Sequence, residues 1–289
     1  MSANVPTRLD KRKARNSFSR AAASYDAAAV LQHEIGRRMV ARFDTIRLEP
    51  KVILDVGCGT GQTTEALMRR FPKARLLALD FALPMLQRTR KRGRWLRRPR
   101  CLCADLDALP LADQSVDLVF ANVAMQWSQR PDESIADIAR VLRPGGLFVF
   151  SSFGPDTLHE LRSAWAVVDG ADHVHAFIDM HDYGDMMMAA GLADPVMDVE
   201  RMTLTYAEPM QLMREIKAIG ASNASSGRPR GLGGRQRLAQ VCAAYERFRD
   251  VDGRLPVSYE VVHGHAWGAV QRRVGGETRV SLDVLQRGR

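Results

Sequence analysis

Cysteine is scarce, with four in 289 residues, at positions 58, 101, 103 and 242. So sparse a set cannot staple a chain of this length, which argues against a secreted disulfide framework and for a reducing compartment, the cytoplasm. Cys101 and Cys103 lack a second ligand pair, so no zinc site is expected. Long apolar runs are also missing. Those at 76–79 and 147–150 are far too short to span a bilayer, and no membrane anchor is expected. The first twenty residues carry six Lys/Arg and one acid without an apolar stretch, which excludes a secretory signal and disfavours a transit peptide. Lysine supplies only six of the 42 basic residues, so the net charge of +9 is almost wholly arginine. A basic surface speeds association with acidic partners, whether nucleic acid, anionic membrane or acidic protein, and composition does not choose among them.

What is present is enough for a self-sufficient core: 46% hydrophobic residues in one large domain or two small ones. From residue 51 short β-rich runs alternate with longer amphipathic stretches, the signature of βαβ units and a doubly wound, mostly parallel α/β sheet. Strands are expected at 52–56, 75–78, 116–122 and 147–151, with helices at 63–71, 84–92 and 131–142. Arg143-Pro144-Gly145-Gly146 supplies a helix stop and a turn. Helices at 156–169 and 182–190 follow, then strands at 196–206 and 257–270. Between those strands lies a polar insertion, 207–256, with helices at 210–219 and 235–248 joined by a Gly/Ser/Arg/Pro-rich loop. The expected division is a helical cap at 1–45, a core at 46–155, the rest of the sheet with a helical lid at 156–270, and a tail at 271–289.

Leu54-Asp55-Val56-Gly57-Cys58-Gly59-Thr60-Gly61 ends the first strand and opens a helix, so backbone can turn tightly and approach a ligand without interference from Cβ atoms. A dinucleotide fingerprint would need glycine where Gln62 stands, and Asp55 would sit badly beside a pyrophosphate. An acid just before the glycines suits an ammonium group, and Asp80, ending the second strand, is placed for ribose hydroxyls. Asp105, in Ala104-Asp105-Leu106-Asp107, is placed to accept from an exocyclic amine such as that of adenine. These features suit S-adenosylmethionine, bound by Asp55, Gly57, Cys58, Gly59, Gly61, Asp80, Asp105, Leu106 and Asn122. The plainer alternative has Asp55 capping the loop and Asp105 starting a turn.

Residues 52–61, Asp80, 105–110, Asn122 and 141–146 together resemble a class I S-adenosylmethionine-dependent methyltransferase. That resemblance implies a seven-stranded Rossmann-like sheet with an antiparallel last strand and a cofactor over the carboxyl ends of the strands. Four further blocks, 18–26 (Phe-Ser-Arg-Ala-Ala-Ala-Ser-Tyr-Asp), 123–127 (Val-Ala-Met-Gln-Trp), 153–161 (Phe-Gly-Pro-Asp-Thr-Leu-His-Glu-Leu) and 216–221 (Ile-Lys-Ala-Ile-Gly-Ala), resemble the malonyl-[acyl-carrier protein] O-methyltransferase family of biotin synthesis. The resemblance implies methyl transfer to the free carboxylate of malonyl on acyl carrier protein. Part of the same pattern, 153–158 and Ser222-Asn223, also resembles the complex I assembly-factor family of arginine-modifying proteins. A basic RNA methyltransferase is the third reading.

A carboxylate is already ionised at neutral pH, so its methylation needs positioning and desolvation rather than a strong base. No Ser/His/Asp or Cys/His arrangement stands out, and Asn122-Val123-Ala124-Met125 stands where amino-methylating nucleic-acid enzymes carry Asn-Pro-Pro-Tyr. Orienting the malonyl carboxylate calls for a cation, with Arg228 first, then Arg162 and Lys217. Tyr25 is expected to close over the methionine end of the cofactor, and Gln126 and Trp127 to wall the acyl pocket, with core packing as the alternative for Tyr25 and Trp127. His173, His175, Asp179, His181 and Asp182 match no specific metal-site spacing, and no metal is expected. His263 and His265 read as structural. Arg88, Arg90, Lys91, Arg92, Arg94, Arg97, Arg98 and Arg100 put eight cations in thirteen residues. They form a candidate docking face for an acidic carrier protein or else a solvated helix end. Aromatic interleaving is limited to Trp95, which makes nucleic acid the weaker reading.

Overall fold

The computed structural model describes residues 9–93, 97–225 and 234–269, together with the short strands Arg273–Val274 and Glu277–Thr278. Seven strands form one sheet: β1 Val52–Val56, β2 Arg75–Asp80, β3 Arg100–Cys103, β4 Val116–Ala121, β5 Leu142–Phe153, β6 Leu192–Tyr206 and β7 Leu255–Gly268. Their spatial order is β3-β2-β1-β4-β5-β7-β6, and β7 runs antiparallel to both neighbours. This is the doubly wound sheet expected from the alternating pattern. The chain reverses direction across the sheet between β1 and β4, which opens a crevice at their carboxyl ends.

Strand side chains alternate between two cores. Leu118 and Phe120 pack on one face with Leu31, Ile35 and Met39 of α3 (Val30–Ala41) and Leu67 of α4 (Gln62–Arg70). Val119 and Ala121 pack on the other with Ile135 and Ile138 of α6 (Pro131–Val141) and with Tyr183 and Met187 of α8 (Met180–Ala189). Helix α5 (Leu83–Thr89) leads from β2 toward β3, and α7 (His159–Ala166) follows β5. Among the described residues no helix is long and apolar enough to cross a membrane.

Two local expectations are corrected. Strand β3 was not read from the sequence, yet Cys101 and Cys103 pair in parallel with Ala78 and Asp80. The 143–146 turn does not precede β5 but lies within it. Leu142 pairs with Val116 and Leu147 with Leu118, so Asp117 alone on β4 stands opposite residues 143–146, which bulge at Gly145, where φ is +75°.

The cap consists of α1 (Lys11–Ala21), the short α2 (Tyr25–Ala28) and α3. Asp10 caps α1 by accepting from the Lys13 N–H at 2.9 Å. The 207–256 insertion contributes α9 (Pro209–Ala218) and α10 (Arg235–Tyr245). It meets the cap through Ser24 Oγ donating to the Ala218 carbonyl at 2.9 Å and Asp10 N–H donating to the Ala224 carbonyl at 2.7 Å. Gly220 makes the close approach: φ is +77°, and a Cβ there would lie 3.0 Å from the Phe18 Cα. Cap and insertion thus close together over the crevice.

Candidate active site

The crevice begins at the glycine loop. Gly57, Gly59 and Gly61 all have positive φ. A Cβ on Gly57 would stand 2.6 Å from that of Ala124 after β4, and one on Gly61 would stand 2.9 Å from the Thr89 Cα. The loop is therefore pressed against both flanking elements, and only glycine permits it. Thr89 Oγ1 donates to the Gly59 carbonyl at 2.7 Å and fixes the loop from α5.

Asp80 is buried and accepts from two backbone N–H groups, Gly59 to Oδ2 at 2.9 Å and Ala82 to Oδ1 at 2.8 Å. Each oxygen keeps a lone pair for a ligand, so the carboxyl is oriented without being used up. Burial pushes its pKa up to about 6 against these bonds. Asp55 lies beneath the loop, accepts from Thr64 Oγ1 at 2.5 Å, and is raised to about 7, chiefly by burial.

Asp80, Asp105, Leu106, Gly57, Gly59 and Asn122 line one pocket. Asp55, Cys58 and Asn122 line an adjoining one, which shares Gly57, Gly59 and Tyr25 with the first. Asn122 is held by its Nδ2 donating to the Gln32 carbonyl at 2.9 Å and by Ser151 Oγ donating to its Oδ1 at 3.0 Å. Gly61 stands behind the loop and starts α4.

Lys11 comes down from the cap and pairs with Asp107 Oδ2 at 2.8 Å and with Asp105. The sequence reading missed it because its partners lie more than ninety residues away. His33 was missed too. Its Nε2 is buried with no hydrogen-bond partner among the described residues, in a pocket that Asp55 and Thr60 also line.

A second, larger and mostly apolar cavity adjoins the first pocket and shares with it Phe18, Tyr25, Val123 and Trp127. Trp127 is fixed edge-on between Phe18, at 4.9 Å between ring centroids, and His175, at 5.3 Å. Gln126 lines this cavity, donating to the Val123 carbonyl at 2.9 Å and accepting from Ser152 Oγ at 3.3 Å. The Tyr25 hydroxyl is pushed above its usual range by burial, then by Asp80 and Asp26. It therefore stays neutral where the two spaces meet.

Of the proposed cations, neither Arg162 nor Lys217 lines the cavity. Arg162 donates to the Pro155 and Thr157 carbonyls at 2.9 and 3.1 Å, and this pins the loop before α7. Lys217 is exposed on α9. Arg228 lies outside the described residues. Of the histidines, His173 pairs with Asp169 at 2.8 Å and His181 with Asp179 at 2.6 Å, each a local partner on its own segment.

The basic segment is divided. Arg92 is partly buried and bonds Asp26 and the Thr60 carbonyl. Arg88 and Lys91, with Arg20 of α1, flank an open surface cleft between α1 and α5. Arg97 and Arg98 are exposed, while Arg94 and Trp95 lie outside the described residues.

A methyltransferase-domain family profile matches residues 54–150. The malonyl-[acyl-carrier protein] O-methyltransferase of Halorhodospira halophila is 51% identical over 279 residues, covering 96% of this chain and 95% of that protein. That of Laribacter hongkongensis is 52% identical over 271 residues, covering 91% of each. A SAM-dependent methyltransferase structure from Thermotoga maritima superposes with a TM-score of 0.53 at 15% identity, covering 88% of this chain and 99% of that one, and shares the fold.

Proposed function

Because this chain belongs to the malonyl-[acyl-carrier protein] O-methyltransferase family, we propose that it transfers the methyl group of S-adenosylmethionine to the free carboxylate of malonyl on acyl carrier protein. The product is the methyl ester that starts pimeloyl synthesis for biotin, made in the cytoplasm. One observation carries the reading. A pocket built on the glycine loop, with Asp80 and Asp105 in its lining, adjoins a larger apolar cavity, and the two share a wall of Phe18, Tyr25, Val123 and Trp127.

The residues present fit the cofactor. Gly57 and Gly59 leave the approach clear, Asp80 presents oriented lone pairs for ribose hydroxyls, and Asp105 and Leu106 sit at the adenine end. Asp55, Asn122 and the unpartnered His33 Nε2 sit at the methionine end. When bound, S-adenosylmethionine supplies an electrophilic methyl on a sulfonium.

The chain itself has little proton chemistry to perform. A carboxylate with a pKa near 4 arrives ionised. Its attack is limited by orientation and by its water shell, and fixing two reactants in place supplies about 7–11 kcal/mol. Phe18, Val123, Phe153, Leu161 and Ile216 make the walls that exclude water, while Gln126 and Trp127 shape the acyl end. Arg228 is the proposed charged partner of the carboxylate. Arg162 is better assigned to holding the 155–157 backbone.

The carrier protein is proposed to dock on cations of the basic segment, chiefly the half-buried Arg88 and the exposed Lys91, Arg97 and Arg98. Growth of a biotin-requiring strain lacking this methyltransferase tests the function in a cell. Expression of this chain restores growth without biotin, and an Asp80→Ala variant does not.

A further inference from the structure

None of the described residues lining the acyl cavity is lysine or arginine, so its polar character comes from a few neutral groups. One is held in an informative way. The Ala224 N–H donates to His175 Nε2 at 3.2 Å. A backbone N–H can only donate, so Nε2 must present its lone pair, and in the neutral ring the single proton sits on Nδ1.

Burial, and next the charge of Lys13, push the His175 pKa down to about 4, so the ring stays neutral at physiological pH. Its orientation is fixed by edge contacts with Trp127 at 5.3 Å and Phe177 at 6.4 Å. Trp127 belongs to the wall shared with the cofactor pocket, which puts His175 next to the junction where the carboxylate must meet the methyl group. The neighbouring His173 is committed differently, its Nε2 to Asp169 and its ring stacked on Trp165 at 3.5 Å.

We propose that His175 is a substrate-contacting residue whose Nδ1–H donates to the non-reacting oxygen of the malonyl carboxylate, an assignment that rests on the acyl-cavity reading above. A neutral donor suits the chemistry. Beside the charge proposed for Arg228, it orients the carboxylate through one oxygen without drawing off further electron density from the other oxygen, which attacks. It also makes the cavity selective for an acyl group ending in a hydrogen-bond acceptor, because a purely apolar end would leave the Nδ1–H unpaired.

The test compares three variants with malonyl-carrier protein, with S-adenosylhomocysteine affinity measured alongside as a check on the fold. His175→Gln retains both an acceptor for the Ala224 N–H and a donor for the substrate. His175→Glu retains only the acceptor and faces the malonyl carboxylate with like charge. His175→Leu retains neither.

The proposal expects kcat/KM for His175→Gln within about fivefold of the parent, and losses of about 10- to 100-fold for His175→Leu and more for His175→Glu. Cofactor affinity should be unchanged in all three. A purely structural role at Ala224 would leave His175→Glu as active as His175→Gln, and that result overturns the assignment. If the parent protein itself does not methylate malonyl-carrier protein, the proposed function fails instead.

Discussion

Arg92 reaches from the segment after α5 to the cap, where its Nη2 donates to Asp26 Oδ2 at 2.6 Å while its Nε donates to the Thr60 carbonyl at 3.1 Å. One guanidinium thus ties the cap to the glycine loop. The Thr60 hydroxyl also donates to Asp26, which closes the triangle. The cofactor pocket lies beneath this tie, with Tyr25 next to Asp26 in its wall. The pair is only partly buried, so its coupling is discounted to about 0.5–1 kcal/mol. Arg92→Ala and Asp26→Asn should each weaken S-adenosylhomocysteine binding about two- to fivefold by calorimetry, and the double variant should be no weaker than the worse single one. Additive losses would show that the two residues act separately.

The buried carboxyls predict a pH dependence of both stability and binding. Asp55 and Asp80 have folded pKa values raised, mainly by burial, to about 7 and about 6 from 3.8. The folded protein therefore binds more protons than the unfolded chain between about pH 4 and 7. Their contribution to stability is fully present below pH 4 and is lost as pH rises through that window. Asp55→Asn should raise the melting temperature of the unliganded protein more at pH 8 than at pH 5. In the parent, ligand binding to the ionised carboxylates should strengthen from pH 5.5 to 7.5 and release protons, measured as a dependence of the calorimetric enthalpy on buffer ionisation.

Asp80→Ala should weaken S-adenosylhomocysteine binding by about 1–3 kcal/mol, because ribose hydroxyls lose a charged acceptor. The Gly59 and Ala82 N–H groups lose theirs as well. Asp80→Asn keeps one acceptor oxygen and should fall between. An unchanged dissociation constant for Asp80→Ala would remove the residue from the ribose site.

Reversal of Arg88, Lys91, Arg97 and Arg98 to Glu should slow turnover of malonyl-carrier protein at low ionic strength about tenfold or more. Malonyl-coenzyme A lacks the acidic protein and should be affected much less. The difference should shrink as salt rises, since exposed charges are screened beyond about 10 Å at 0.1 M. Equal losses on both substrates would exclude a docking role for these four cations.

The glycine loop was legible in the sequence because its requirement is local. Three glycines in five residues after a β-rich run admit few backbone paths, and Asp80 then follows as the end of the second strand. Strand β3 was not legible. Its four residues follow a run of arginines and carry no hydrophobic alternation, and only pairing with β2 makes them a strand. Arg92 and Arg162 read as free cations because their partners are set by tertiary structure, Asp26 lying 66 positions away and the Pro155 and Thr157 carbonyls carrying no side-chain signal. His175 read as one of a loose histidine group for the same reason. What distinguishes it is a backbone N–H donated from residue 224.

Methylation of the free carboxyl of malonyl on acyl carrier protein leaves a product that can be weighed. Intact-mass spectrometry of malonyl-carrier protein incubated with the purified chain and S-adenosylmethionine reads the product directly. The expected result is a gain of one methyl group on malonyl-carrier protein and none on acetyl-carrier protein. An unmodified malonyl-carrier protein, with label instead appearing on RNA or oxygen on a protein arginine, would contradict it.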